Sequence, residues 1–266
     1  MQRYLGKKDF PFIKLSSRII SDYQGKLLAS GICDNTIGFY LHNIKALFRK
    51  GCREMGLELP CPFRDISIKT KKTLKRSLDP VVIKTLSAIE LEKDSPLSLA
   101  RDIFMFSFYT RGMSFVDIAL LKKRHVFPGE ICYRRHKTDQ LMRVGINKEI
   151  SRILERYKNV PGEYIFPLFP AERDPYAGYR NAYHRIRYSL GKISRVIGLE
   201  FPLRLHAARH SWATIAKVNG ASVHVIGECL GHTSEKTTRI YLKELDHSAL
   251  DAVNNQVADF ILAVDD

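Results

Sequence analysis

Two linked segments carry the most information in this chain. They are Leu203-Arg204-Leu205-His206-Ala207-Ala208-Arg209-His210-Ser211-Trp212-Ala213-Thr214 and Ile226-Gly227-Glu228-Cys229-Leu230-Gly231-His232-Thr233-Ser234-Glu235-Lys236-Thr237-Thr238-Arg239-Ile240-Tyr241. A histidine precedes an arginine by three residues, and a second histidine precedes a tyrosine by nine. This set suits attack on a phosphodiester without a metal. Arginine offers a planar fork of donors to phosphate oxygens. Histidine donates to the same oxygens or moves protons near neutral pH. A tyrosine hydroxyl is a possible covalent nucleophile. Each residue alone is ordinarily structural; the order and spacing give the set its meaning.

Composition narrows the class of partner. Among 266 residues, 43 Lys and Arg face 28 Asp and Glu, a formal charge of +15, which favours a polyanion, nucleic acid before an acidic membrane surface. The five cysteines, Cys33, Cys52, Cys61, Cys132 and Cys229, form no Cys-x-x-Cys pair and no metal-like spacing with histidine. They read as reduced thiols of a cytoplasmic protein. No apolar run approaches the roughly 18 residues of a membrane span. The N-terminal residues carry no secretory apolar segment.

The ordered set resembles the C-terminal signature of the tyrosine recombinases, the phage integrase family. That signature runs His-x-x-Arg-His, Leu-Gly-His and Thr-Thr-x-x-Tyr, and each part is present from His206 to Tyr241. The segment from Arg111 to Leu121 further resembles Bacteroides-type integrases and invertases.

The resemblance implies a mainly α fold with a small antiparallel β-sheet. A helical SAM-like core-binding domain would precede the tyrosine recombinase catalytic domain. It assigns Tyr241 as the nucleophile that forms a 3′-phosphotyrosine, and Arg209, His232, His206 and Arg111 as donors to the non-bridging oxygens. Lys137, on a hairpin, becomes the general acid. No metal or cofactor is required. The implied partners are double-stranded DNA, a homotetramer on that DNA docked through the C-terminal helix, and accessory DNA-bending proteins. The implied location is the cytoplasm, at the nucleoid. A type IB topoisomerase-like nicking-closing enzyme, or a DNA-binding module with impaired catalysis, is the competing reading.

Periodicity organises the rest. Residues 1–68 read as a small helical domain, with one helix over 15–30 ended by Gly31. Asp34-Asn35-Thr36 offers the cap of a second helix. By resemblance this is the core-binding domain, entered part-way through, so that its first helices are expected to be missing. Residues 69–76 carry five positive charges in eight and read as a basic linker. The catalytic domain is expected over 77–266. Helices are expected over 79–91 and 97–109, and Ser114 with Asp117 predicts another from Phe115.

The family pattern places its first arginine where Ser114 stands, so Arg111 must reach the site from the preceding turn. Otherwise it serves only as the cation at a helix C-terminus, and Arg134, Arg135 or Arg143 supplies the second guanidinium, or the enzyme works with one. Residues 124–147 predict an antiparallel sheet, with strands over 125–127, 130–137 and 141–146 and Lys137 at the tip. A helix is expected over 150–157, then loop over 158–178 and a basic helix over 178–197. Helices are also expected from His206, over 223–230 and over 237–242. The segment 244–266, with six acids and no Lys or Arg, reads as an acidic amphipathic helix.

Overall fold

The computed structural model describes residues 4, 6, 10–68, 71, 77–169, 175–232 and 234–242. The chain divides into two compact units, residues 1–73 and 74–266. The expected acidic helix over 244–266 and all of the basic linker except Lys71 lie outside the described residues.

In the first unit, α1 (Ser17–Ala29) packs on α2 (Asp34–Glu54) around Ile20, Tyr23, Ile37, Leu41, Phe48 and Phe63. Ser16 caps α1 by accepting the Ile19 N–H, and α1 closes with Gly31 N–H on Leu28 and Ile32 N–H on Leu27. The second cap differs from expectation. Cys33 stands before the helix and its Sγ meets Thr36 Oγ1 at 3.2 Å, so Asp34 is the first helical residue. Its carboxylate is left to pair with Lys71 Nζ at 2.9 Å.

The second unit is built on α4 (Pro96–Tyr109), entered from α3 (Pro80–Ala88). Asp102 to Ser107 are all buried, so no side of α4 meets solvent along this run. Helices α7 (Pro175–Val196) and α8 (Leu205–Val218) lie along it, and α6 (Lys148–Arg156) also packs on it. Burying Ile103, Phe104 or Phe106 contributes about 1.5–3 kcal/mol each. Asp102 fastens α4 to α6: it takes donors from Arg101 at 2.6 Å, Arg156 at 2.6 Å and the Tyr157 hydroxyl at 2.8 Å. Burial, reinforced by the Asp102 charge, pushes the Tyr157 hydroxyl far above its ordinary pKa.

Several element ends depart from the sequence reading, among them those of α1, which runs over 17–29 instead of 15–30, and α6, over 148–156 instead of 150–157. Helix α3 stops at Ala88 instead of 91 because the Ile89 carbonyl bonds to Arg101 Nη1 at 2.9 Å. Helix α7 begins at Pro175, three residues early, since proline suits a first helical turn and its missing N–H is no loss there. The final helix, α10 (Glu235–Leu242), starts two residues before expectation.

The sheet is a meander of β1 (Val126–Phe127), β2 (Glu130–Arg134) and β3 (Leu141–Gly145). Ile131 pairs with Val144 and Tyr133 with Met142 on the buried face, while Cys132 opposite Arg143 faces outward. Strand β2 ends at Arg134, not 137. The His136 N–H turns away to Asp117 Oδ1 at 2.7 Å, which releases Lys137 into an exposed turn. Asp117 lies on α5 (Phe115–Ala119), capped by Ser114 as expected. Helix α9 (Val223–Leu230) and α10 complete the unit, packed on each other around Ile226, Leu230 and Leu242. Among the described residues no helix is long and apolar enough to cross a membrane.

Candidate active site

The site forms at the carboxyl end of α9. Gly231 follows the helix with φ 63°, and the chain closes through Gly231 N–H on Glu228 and His232 N–H on Gly227, both 2.9 Å. This closure fixes the backbone of His232. It also leaves the Leu230 and Gly231 carbonyls as acceptors at the negative end of the helix dipole.

Arg209 reaches that end from α8. It is 6% exposed, so its charge must be met inside the protein. Nη1 donates to the Gly112 carbonyl at 2.9 Å, and Nη2 donates to Leu230 at 2.5 Å and meets His232 Nε2 at 3.1 Å. A guanidinium can only donate, so Nε2 accepts and the imidazole proton sits on Nδ1. Nδ1 is 2.9 Å from Thr238 Oγ1 and donates to it. Thr238 is fully buried in α10, one helical turn before Tyr241. A continuous chain of hydrogen bonds therefore runs from Gly112 through Arg209 and His232 to the helix that carries Tyr241.

The turn after α4 approaches from the other side. Arg111 has φ 61°, the left-handed conformation that closes a helix, where a non-glycine residue costs roughly 1–2 kcal/mol. Gly112 follows at φ 77°, and a Cβ there would lie 2.8 Å from the Arg209 Cα and 2.5 Å from its Cγ. Glycine is required for this contact, and the contact brings the Gly112 carbonyl onto Arg209. The Arg111 side chain reaches toward β3, with Nη1 3.5 Å from the Arg143 carbonyl.

From the hairpin, Arg135 Nη1 donates to the Gly231 carbonyl. The buried Tyr133 hydroxyl lies within electrostatic reach of Arg135, Arg209 and Arg111. Burial, with the Asp117 charge, still raises its pKa far above the ordinary tyrosine value, which makes it a neutral wall of the site.

The structure thus brings together Arg209, His232 and the helix of Tyr241, with the Arg111 backbone turn beside them. His206 is exposed one turn before Arg209 on α8, its ring 4.5 Å edge-on from that of His210. Lys137 is placed by the hairpin tip rather than by a contact of its amine. Sequence reasoning missed the parts played by Thr238, Asp117 and Gly112. Thr238 had a signal: three residues before Tyr241 on one helix, it had to face inward with the histidine. The group of basic donors, an imidazole and a hydroxyl-bearing helix suits phosphoryl transfer by positioning and charge.

Residues 77–247 match the model of the phage integrase family. Tyrosine recombinase XerC of Shewanella oneidensis is 26% identical over 226 residues, covering 81% of this chain and 70% of that protein. Tyrosine recombinase XerD of Pseudomonas putida is 36% identical over 94 residues, 33% of this chain and 30% of its own. Among solved structures, the Tn1549 transposon integrase in complex with circular intermediate DNA aligns with a TM-score of 0.68 and 16% identity, over 96% of this chain and 90% of that one. A lambda integrase dimer bound to a core site aligns at 0.66 and 18%, over 90% and 84%. The chain belongs to the phage integrase family and is a tyrosine recombinase. Its reaction class is DNA cleavage and strand transfer in site-specific recombination, which disfavours the nicking-closing and impaired-catalysis readings.

Proposed function

We propose that this recombinase cuts double-stranded DNA through a 3′-phosphotyrosine at Tyr241, for integration, excision or inversion of a DNA segment. Tyr241 gives up its hydroxyl proton to solvent as its oxygen bonds to the scissile phosphorus, and the bond from phosphorus to the 5′ oxygen breaks. Lys137 gives a proton to that oxygen. Arg209 and His206 donate to the non-bridging oxygens as charge builds there, His232 holds the Arg209 guanidinium in place, and Arg111 is the sequence-based candidate for a second cation. The phosphotyrosine conserves the energy of the broken bond. A free 5′-hydroxyl then attacks it, the tyrosine leaves, and a strand is rejoined.

What supports this reading is the chain of hydrogen bonds from Arg209 through His232 and Thr238 to the helix of Tyr241. Residues 1–68 would grip the DNA as the core-binding domain and the basic stretch over 69–76 would follow the phosphate backbone. The acidic segment over 244–266 would dock on a neighbouring protomer of a tetramer assembled on nucleoid DNA in the cytoplasm.

The test is covalent capture. The protein and its Tyr241→Phe variant are incubated with sheared genomic DNA of the source bacterium, denatured, and the protein-linked fragments sequenced. Adducts enriched at one sequence with the parent protein and lost in the variant are expected. DNA binding without any adduct would contradict the reading.

A further inference from the structure

Resting on the recombinase reading above, we infer that Asn35 fixes the point at which the tether to the catalytic unit begins, and so positions that unit for the DNA that the first unit holds. Asn35 is the second residue of α2, and Cys33 occupies the capping position before it. The Asn35 side chain bonds instead to a residue 36 positions further on. The Lys71 N–H donates to Asn35 Oδ1 at 2.7 Å, and Asn35 Nδ2 donates to the Lys71 carbonyl at 2.7 Å. A side-chain amide carries a donor and an acceptor at one end, so it holds both backbone groups of one residue as a neighbouring strand would. Asp34, the residue directly before, takes the Lys71 ammonium at 2.9 Å. Adjacent side chains of α2 therefore grip Lys71 by its backbone and by its charge.

The chain that leads to Lys71 is laid on the same unit. Gln24 Nε2 on α1 donates to the Ser67 carbonyl at 3.1 Å, and Ile66 and Ile68 pack on the core of α1 and α2. The clamp at Lys71 is the last of these holds among the described residues. It lies in the open, away from that core, so it adds little to folding. Its effect falls on the tether. The basic run over 69–76 has eight residues, and with Lys71 held, the five over 72–76 remain before Ser77. Once one unit is on DNA, the other meets the same duplex at an effective concentration that falls roughly as the −3/2 power of tether length. A tether of five residues in place of eight raises it about twofold. Residues already ordered by the clamp need no ordering on binding, which adds to the gain. Asn35 is thus a positioning residue that acts through the tether without touching DNA.

The test must separate tether length from a direct contact and from stability. The probe is a fluorescein-labelled duplex of the sequence captured by the parent protein, titrated by anisotropy at one salt concentration. Asn35→Ala is expected to bind it about fivefold more weakly. Single-turnover cleavage at saturating protein should stay within about twofold of the parent, since the catalytic groups are untouched. The midpoint of urea unfolding should stay near the parental one, and hydrogen exchange at the Lys71 amide should rise about tenfold. In a chain with about twelve Gly and Ser residues inserted after Lys71, the starting point of the tether matters little. There Asn35→Ala should change affinity by less than about 1.5-fold.

Unchanged exchange at the Lys71 amide, or parental affinity despite faster exchange, would overturn the inference. So would a loss that persists undiminished in the extended chain, which would mark Asn35 as a direct DNA contact, or a fall in the urea midpoint large enough to account for the lost binding. A parent protein that forms no adduct refutes the recombinase reading itself, and the inference falls with it.

Discussion

At the scale of single residues, the site depends on side chains that touch the catalytic groups from behind. Thr238 holds the Nδ1 proton of His232 and thereby presents Nε2 toward Arg209. Thr238→Val keeps the shape and removes the acceptor. It should slow adduct formation about tenfold, with Thr238→Ser restoring the rate, as single-turnover cleavage will read. Gly112→Ala should destabilise the fold by on the order of 3 kcal/mol in urea unfolding, because its Cβ would enter the Arg209 Cα and a positive φ disfavours it. The motif residues His206, Arg209, His232 and Tyr241 were legible in the sequence because their chemistry and spacing are unusual together. Thr238 had only the signal of its helical spacing before Tyr241, and Gly112 had none, since only the folded backbone shows that a turn at Gly112 meets Arg209, 97 residues further along the chain.

At the scale of elements, the hairpin is placed by α5. The buried Asp117 carboxylate accepts from the Ser114 hydroxyl at 2.6 Å and from the His136 N–H at 2.7 Å, one residue before Lys137. Asp117→Ala should speed hydrogen exchange at the His136 amide more than about tenfold, since that amide loses its acceptor. Behind the sheet, His125 Nδ1 accepts the Lys122 N–H at 3.2 Å, which requires an unprotonated nitrogen. Burial first, and then Arg124 and Lys122, hold its pKa below the ordinary 6.5. The folded state therefore binds fewer protons than the unfolded state. The stability is whole above pH 6.5 and is lost as pH falls through the depressed folded value. His125→Asn, whose side-chain oxygen can take the same N–H, should flatten that acid slope in thermal unfolding. Element types were readable from apolar period and caps, as Ser114 and Asp117 show. Element ends were less so, because partners distant in sequence, such as Arg101 on Ile89 and Asp117 on His136, decide where helix α3 and strand β2 stop.

At the scale of the whole molecule, charge and covalent chemistry make separate predictions. A formal charge of +15 predicts DNA binding that weakens steeply with salt. The slope of log affinity against log salt should be on the order of −5, since each neutralised phosphate contributes about −0.9. A titration by fluorescence anisotropy across sodium chloride concentrations reads it directly. The division of the second unit's mainly helical body and small sheet was legible from periodicity, whereas the convergence of Arg135, Arg209 and His232 on one helix end was not, since these residues come from three separate elements. In the proposed reaction Tyr241 becomes the covalent link. The most direct measurement is mass spectrometry of the adduct formed by the parent protein, after nuclease and trypsin digestion. A nucleotide attached through a 3′-phosphate to the peptide that contains Tyr241 is the expected product. A linkage on any other residue, Tyr133 included, would contradict it.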